Sequence, residues 1–256
     1  MSMKYHALIS WGFKNSKADT SLFIFHFGNS ILLLLVYVDD VIVTSNNSHL
    51  ITKLIKSLGR KFALKDLGAL TYCLGIQLHH LEAGFVINQA KYIEDLLSKL
   101  NLFDLNPALT PCTMGKKLSA TDGVPLLDPY IYRSTIGALQ YLTRTRPDIA
   151  YIVNHLSKFL KAPTDIHWQA TKRVLMYVSG IRYFGLLFEP STNLDITAFS
   201  NADWASNIDD RCSVATYCIF IDNNLVSWSS KEQTVMARSS IELEYRALAQ
   251  ASAGII

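Results

Sequence analysis

The chain has 256 residues, of which 50% are hydrophobic and 18% are charged, and its formal net charge is +3. This composition excludes an intrinsically disordered chain, a collagen-like repeat and a highly charged nucleic-acid tail. The mean hydropathy of +0.18 is high for a chain without a membrane segment. However, the longest apolar run, residues 31–38, is far shorter than the about 20 residues that span a bilayer. At about 150 residues per domain, the length predicts two domains.

Neither a secretory signal nor a zinc site is indicated. The first thirty residues carry scattered charges and no continuous apolar stretch, unlike a signal peptide. The four cysteines form no CxxC pair, and the seven histidines lack the spacing of zinc ligands. We therefore expect an intracellular protein with reduced thiols, no membrane association and no small-molecule cofactor.

The first elements along the chain are strands. Alternating and β-branched residues predict strands over 21–27, 31–38 and 41–44. The sequence Gly28-Asn29-Ser30 is a turn signal between the first two of them. Two consecutive hairpins are therefore predicted before residue 45.

A helix with two contrasting faces follows, and Ser48 is its predicted N-cap. Apolar residues recur on one face at helical spacing, at Leu50, Leu54, Ile55, Leu58 and Phe62. The other face carries four cations, Lys53, Lys56, Arg60 and Lys61. Such a stripe is typical either of a solvated helix face, the commoner case, or of a surface that contacts a phosphate backbone.

The rest of the chain alternates between strand and helix patterns. Two short strands between residues 72 and 87 flank Glu82-Ala83-Gly84, and a helix follows over 90–100. Residues 106–129 contain Pro and Thr and are the predicted linker. The remaining predicted elements are helices over 132–142, 149–160 and 165–178, strands over 194–199, 214–221 and 225–229, and a helix opened by Ser239.

Two adjacent carboxylates, Asp39 and Asp40, lie at the tip of the second predicted hairpin. Hard oxygen ligands suit Mg²⁺, and polymerases use a pair of metal ions to clamp the attacking and leaving oxygens of a phosphoryl transfer. The alternative is plain turn chemistry, since Asp tolerates turn dihedrals and bonds its own backbone. The tetrapeptide Tyr37-Val38-Asp39-Asp40 alone leaves both interpretations open.

Several dispersed motifs favour the metal interpretation. They occur in one order along the chain, as Gly12-Phe13, Tyr37-Val38-Asp39-Asp40, Lys65-Asp66-Leu67-Gly68, Tyr132-Arg133-Ser134 and Thr145-Arg146-Pro147-Asp148. In this order they resemble the polymerase end of a copia-type LTR retrotransposon Pol polyprotein, with its YxDD box at residues 37–40. The resemblance implies Mg²⁺ held by Asp39 and Asp40, and an RNA or DNA template-primer as partner.

The last region resembles the start of the ribonuclease H domain of the same family. The family motif SDADWAG is present here as residues 200–206, SNADWAS, so Asn201 replaces the first metal-binding aspartate. An amide offers one neutral oxygen where a carboxylate is needed. Asp203 is the candidate substitute, because residues two apart on a strand share a face.

The final predicted helix carries the second carboxylate that the resemblance implies. Residues 239–245, SSIELEY, resemble the family's SSTEAEY, which implies Glu244 as a metal ligand. Glu242 has a structural interpretation instead, because Ser239 and Glu242 have the spacing of a capping box.

The resemblance predicts an α+β chain in three parts. A truncated reverse transcriptase palm and thumb occupy 1–105, a linker and helical connection 106–190, and a truncated ribonuclease H-like α/β domain 191–256. It also places one palm carboxylate upstream of the chain and one ribonuclease H carboxylate beyond residue 256. We therefore expect a catalytically inactive fragment with an exposed apolar sheet edge.

Three classes of function remain open. The first, favoured by Asn201 and the missing carboxylates, is a non-catalytic retrotransposon fragment that binds nucleic acid weakly. The second is an active RNA-directed DNA polymerase, as part of a longer polyprotein or completed in trans by the missing parts. The third is an interaction module without a nucleic-acid role. The candidate phosphate contacts, which would fade with salt, are Lys53, Lys56, Arg60, Lys61, Arg144 and Arg146.

Overall fold

The structure, a computed structural model, describes residues 3–62, 64–102, 105–113, 115, 118–204, 207–233, 236–237 and 239–255. The chain divides into an N-terminal unit, residues 1–73, and a C-terminal unit, residues 74–256. Over the described ranges, no helix is long and apolar enough to cross a membrane.

The N-terminal unit is built on an antiparallel sheet whose four strands are adjacent in chain order. They are β1 (Lys14–Asn15), β2 (Leu22–Phe27), β3 (Ser30–Tyr37) and β4 (Asp40–Ser45). Helix α1 (Met3–Ser10) precedes the sheet, helix α2 (Ser48–Lys61) follows it, and β5 (Tyr72–Cys73) ends the unit. The apolar face of α2 packs against alternate residues of the sheet, so that the buried core contains Leu8, Phe13, Phe23, Leu32, Leu34, Leu54 and Leu58.

The predicted N-cap of α2 is wrong by one residue. Asn47, not Ser48, is the cap: its backbone is extended, and its side-chain oxygen accepts a hydrogen bond from the backbone N–H of His49 at 3.1 Å. Ser48 is the first helical residue. Asn and Ser cap helices about equally well, so the local sequence does not decide between them. The Asn47 amide also donates to the hydroxyl of Ser30 at 3.3 Å, a contact across the sheet that no local pattern predicts.

The C-terminal unit begins with antiparallel strands and a helical core. Strand β7 (Gly84–Asn88) pairs with β6 (Ile76–Leu81) on one side and with β8 (Leu186–Phe188) on the other. The core is formed by helices α3 (Ala90–Lys99), α4 (Pro129–Leu142), α5 (Ala150–Ser157) and α6 (Asp165–Gly180). Its members include the fully buried Tyr132, Ile136, Leu139, Leu142, Ile149, Val153, Leu156, Val174, Leu175 and Val178.

A second sheet with one covering helix completes this unit. Its antiparallel strands lie in the order β11 (Asn224–Glu232), β10 (Val214–Ile221), β9 (Ile196–Asp203). Helix α7 (Ser240–Ile255) packs on β9 and β10. Strand β9 is at an edge of this sheet, and Ile196 and Phe199 on it are exposed, as expected for an apolar sheet edge. With these two units, the chain is an α+β protein, as the sequence predicts.

Two segments differ from the sequence-based expectation. The helix predicted over 149–160 is a short α5 between two 3₁₀ turns, Pro147–Ile149 and Lys158–Leu160. The predicted linker 106–129 is anchored to the C-terminal unit at some of its described positions. The Leu126 N–H donates to the Pro163 carbonyl at 3.0 Å, and Leu118 is buried. Pro and Thr indicate irregular backbone, but they say nothing about packing. The three-part division at residues 105 and 190 stays a prediction.

Candidate functional site

The turn between β3 and β4 presents the two predicted metal-binding carboxylates to solvent. Tyr37 pairs with Asp40 at the ends of the strands, so Val38 and Asp39 form the two-residue turn. Both aspartates are exposed. Val38 has φ +48°, which is unusual for a β-branched residue. Strained residues of this kind are concentrated at functional sites.

The chemistry of this tip fits a hard divalent cation. Magnesium is bound through one or two carboxylates and keeps the rest of its shell for water and substrate phosphates. Asp39 and Asp40 offer such carboxylates without burial. The nearby Cys73 does not compete as a thiolate, since burial and then the negative charge of Asp40 raise the pKa of its thiol.

Among the described residues, one group of three metal-ligating side chains has its ligand atoms within 4.8 Å of one another. This group does not lie at the β3–β4 turn. It consists of Asp210, Cys212 and Glu232. Glu232 is already paired with Lys158. The predicted metal ligands Asp39, Asp40, Asp203 and Glu244 are not members of this group, and their roles stay predictions.

The cationic face of α2 is open to solvent. All four of its cations, Lys53, Lys56, Arg60 and Lys61, are exposed, while Leu54 and Leu58 on the opposite face are buried. The Lys61 ammonium lies 5.4 Å from the centroid of the Trp11 ring, a cation–π distance. The stripe is therefore accessible to a phosphate backbone, which is what a role in binding requires.

The ribonuclease H-like motif lies on β9, with its second carboxylate on α7. Asn201 pairs with Thr216, and Asp203 pairs with Val214. The indole N–H of Trp204 donates to the Ala237 carbonyl at 3.4 Å, which ties the chain before α7 to this end of β9. Glu244 is exposed on the first part of α7. The structure therefore brings the helix that carries Glu244 to the Asp203 end of the strand.

The donor set on β9 does not fit a ribonuclease H metal site. Asn201 supplies a neutral amide where the family motif supplies a charged carboxylate. The Asp203 carboxylate lies near Tyr151 on α5. Burial raises the pKa of the Tyr151 hydroxyl, and the negative charge of Asp203 raises it further. We therefore derive no catalytic step at this motif.

One hydrogen bond of the predicted capping box is present at the start of α7. The Glu242 backbone N–H donates to the Ser239 hydroxyl at 3.1 Å, as the motif requires. The Glu242 carboxylate also accepts a hydrogen bond from the Arg246 guanidinium at 2.6 Å, one helical turn further on. Glu242 is therefore a structural residue of the helix start, in agreement with the sequence interpretation.

The prediction that Arg146 contacts phosphate is wrong, because this side chain is buried and paired. Arg146 is 2% exposed. Its guanidinium donates to both carboxylate oxygens of Asp148, at 2.9 and 2.6 Å, and to the Ile181 carbonyl at 3.1 Å. The Tyr177 hydroxyl donates to the same carboxylate at 2.8 Å. The sequence does not predict that Arg146 is buried. The presence of Asp148 two positions later is, however, compatible with an ion pair between the two residues.

Comparisons with known proteins identify the family to which this chain belongs. Residues 3–114 match the family described as reverse transcriptase (RNA-dependent DNA polymerase). Over 245 residues the chain is 42% identical to the Retrovirus-related Pol polyprotein from transposon RE1 of Arabidopsis thaliana, and 41% identical to that from transposon RE2. These alignments cover 96% of this chain and 17% of each polyprotein.

A shorter relative matches over nearly all of its own length. An uncharacterized mitochondrial protein of Arabidopsis thaliana is 40% identical over 222 residues, which are 87% of this chain and 92% of that protein. No solved structure matches. The chain belongs to the family of copia-type retrotransposon Pol polyproteins, and it spans about one-sixth of the length of the transposon polyproteins that it matches.

Proposed function

We propose that this chain is a reverse transcriptase and ribonuclease H fragment that binds nucleic acid weakly and has no catalytic activity on its own. In this proposal, residues 1–105 supply part of the palm and the thumb, 106–190 the helical connection, and 191–256 the start of a ribonuclease H-like domain. The observation that carries the proposal is the neutral Asn201 on β9, in a chain whose residues 3–114 match a reverse transcriptase family.

The hairpin tip is the polymerase part of the proposal. Asp39 and Asp40 would hold Mg²⁺, which, when bound, neutralises charge on the phosphates during phosphoryl transfer. The chain's own contribution is positioning: the β3–β4 pairing fixes the two carboxylates next to each other at a tight turn. The family resemblance assigns a third carboxylate to this site, so we propose that two alone do not support primer extension.

Nucleic-acid binding is assigned to the cationic stripe of α2. Lys53, Lys56 and Arg60 are exposed on one helix face, and phosphate contacts of exposed cations weaken strongly as salt concentration rises. Binding without base contacts is expected to be insensitive to sequence. The affinity is therefore electrostatic and weak.

The second candidate function is an active RNA-directed DNA polymerase formed with other parts of a longer polyprotein. It is favoured by one observation, the intact pair of exposed aspartates on a strained turn. In this case the hairpin supplies metal ligands to a site completed by other segments.

The proposed function is tested with a labelled RNA/DNA hybrid and the whole chain in the presence of Mg²⁺. We expect binding that weakens with salt, and a shallower salt dependence for a variant with Lys53→Glu, Lys56→Glu and Arg60→Glu. Removing three phosphate contacts should change the slope by about 3. We expect no cleavage of the RNA strand, either by this chain or by its Asn201→Asp variant. Cleavage by the unmodified chain would contradict the proposal.

A further inference from the structure

Two adjacent aromatic side chains are exposed between α6 and β8, on residues 181–185, which we name the aromatic loop. Tyr183 is 68% exposed and Phe184 is 65% exposed. Leaving two large rings in water forgoes the favourable free energy of burying their apolar surface. Contiguous exposed apolar groups of this kind mark interaction sites.

Buried polar side chains hold the backbone of the aromatic loop by hydrogen bonds. The buried Arg146 guanidinium donates to the Ile181 carbonyl at 3.1 Å, and the buried Asn88 amide donates to the Tyr183 carbonyl at 3.3 Å. Within the loop, the Phe184 N–H donates to the Ile181 carbonyl at 3.0 Å. The two rings are therefore exposed on backbone that is fixed before any partner arrives.

Glycine at position 185 fixes the loop at its other end. A Cβ added to Gly185 would lie 1.9 Å from the Ile87 carbonyl oxygen on β7. The backbone therefore passes so close to the sheet that no other residue fits without movement. The backbone that follows the two rings is therefore held against β7.

The charge beside the rings is positive. The Arg182 guanidinium is 5.6 Å from the centroid of the Tyr183 ring and half-exposed. Its partner is Glu94 on α3, at 3.6 Å, and both side chains of the pair are more than 40% exposed. Such an exposed pair contributes little to stability, so a phosphate can take the place of Glu94 at little cost.

We propose that Arg182, Tyr183 and Phe184 form a platform that binds single-stranded nucleic acid, with unpaired bases stacked on the two rings and a phosphate on the guanidinium. Exposed aromatic rings beside a cation are the combination that single-strand binding uses. A partner protein is the other class of occupant, and absence of binding to a labelled single strand is the result that would favour it. The inference deepens the proposed nucleic-acid binding and rests on it, but it assigns the base contacts to a different surface from α2.

The test uses fluorescence anisotropy with the whole chain and a labelled single strand of about 12 thymidines, a length within known single-strand site sizes. A second strand of equal length with abasic sites keeps the phosphates and removes the bases. The platform variant is Tyr183→Leu with Phe184→Leu. The control is Tyr130→Leu with Phe199→Leu, two rings that are 71% and 63% exposed elsewhere in the C-terminal unit.

We expect the platform variant to bind the thymidine strand about tenfold more weakly or worse, since each stacked base contributes substantially. The control variant should bind this strand like the unmodified chain. The abasic strand should show no difference between the platform variant and the unmodified chain. Equal losses on both strands, unchanged affinity of the platform variant, or no binding by the unmodified chain at low salt would overturn the proposal. Thermal melting of both variants checks that these exposed substitutions leave the fold intact.

The same assay separates this inference from the role proposed for α2. The variant with Lys53→Glu, Lys56→Glu and Arg60→Glu should weaken binding of both strands equally. If it leaves binding unchanged while the platform variant loses affinity, the proposed role of α2 is wrong and the platform stands. The reverse result leaves α2 as the binding surface and overturns the platform.

Discussion

Replacing Asp148 by Asn should destabilise the C-terminal unit, because Asp148 neutralises a buried cation. Its carboxylate accepts two hydrogen bonds from the guanidinium of Arg146, whose side chain is 3% exposed, and one from the Tyr177 hydroxyl. Breaking a buried ion pair by removing one partner costs about 3–5 kcal/mol. Since the Asp148 side chain is itself 35% exposed, water can replace part of the loss. We expect a destabilisation at the low end, about 3 kcal/mol.

The assay is urea unfolding followed by tryptophan fluorescence in a Trp11→Phe background. The remaining three tryptophans, at positions 168, 204 and 228, all belong to the C-terminal unit. The matched control is Asp95→Asn, which removes an exposed carboxylate on α3 and should change the free energy of unfolding by less than about 0.5 kcal/mol. A loss equally small for Asp148→Asn would refute the assignment of Arg146 as a buried, paired residue.

The same pair predicts a pH dependence with a definite sign. Burial alone would raise the pKa of Asp148, but the hydrogen bonds and charge of Arg146, together with the Tyr177 hydroxyl, outweigh it and lower this pKa below its ordinary value of 3.8. The stabilisation is therefore present above about pH 4 and is lost as the pH falls through the lowered pKa. Relative to the unmodified chain, Asp148→Asn should weaken the dependence of stability on pH below about pH 4.

Three further substitutions follow from local geometry. His167→Phe should cost about 2 kcal/mol, because the Nδ1 atom of His167 accepts from the Thr164 N–H at 3.1 Å and its other nitrogen bonds the Ser119 carbonyl at 3.0 Å. Burial lowers the pKa of His167, so this variant should also lose less stability than the unmodified chain as the pH falls below about 6.5, which acid unfolding measures. Val38→Asn should raise the free energy of unfolding of the N-terminal unit by about 1 kcal/mol, since Asn tolerates positive φ. Urea unfolding followed by Trp11 fluorescence, in a background with Phe at positions 168, 204 and 228, measures it, and a loss of stability would show that Val38 is not strained. Gly185→Ala should cost more than about 2 kcal/mol through its clash with the Ile87 carbonyl, and an unchanged melting temperature would contradict this account of the aromatic loop.

The elements that the sequence predicts well are those with a strong local pattern. Helix α2 has an apolar face at helical spacing over its whole length, and the second hairpin has two apolar runs around a pair of aspartates. Local patterns fail where two residues are equally suited to one role. For this reason the cap of α2 was assigned to Ser48 although the structure uses Asn47.

The largest errors concern residues whose role depends on distant parts of the chain. Arg146 looks like an accessible cation in the sequence, but its partners include the Ile181 carbonyl, which is 35 residues away. The exposure of the aromatic loop is not predictable from the sequence either, because adjacent Tyr and Phe are as typical of a core as of a surface. Their exposure is seen only in the folded chain, where Arg146 and Asn88 hold the backbone carbonyls of the loop.

The central claim is that the Asp39-Asp40 turn is the metal-binding tip of a polymerase that this chain alone does not complete. Primer extension tests it most directly, with the chain alone and with the chain substituted for the matching segment of the transposon RE1 polyprotein. The account predicts no extension by the chain alone, extension by the substituted polyprotein, and none when the latter carries Asp39→Asn. Extension by the chain alone, or extension by the polyprotein that persists with Asp39→Asn, would contradict it.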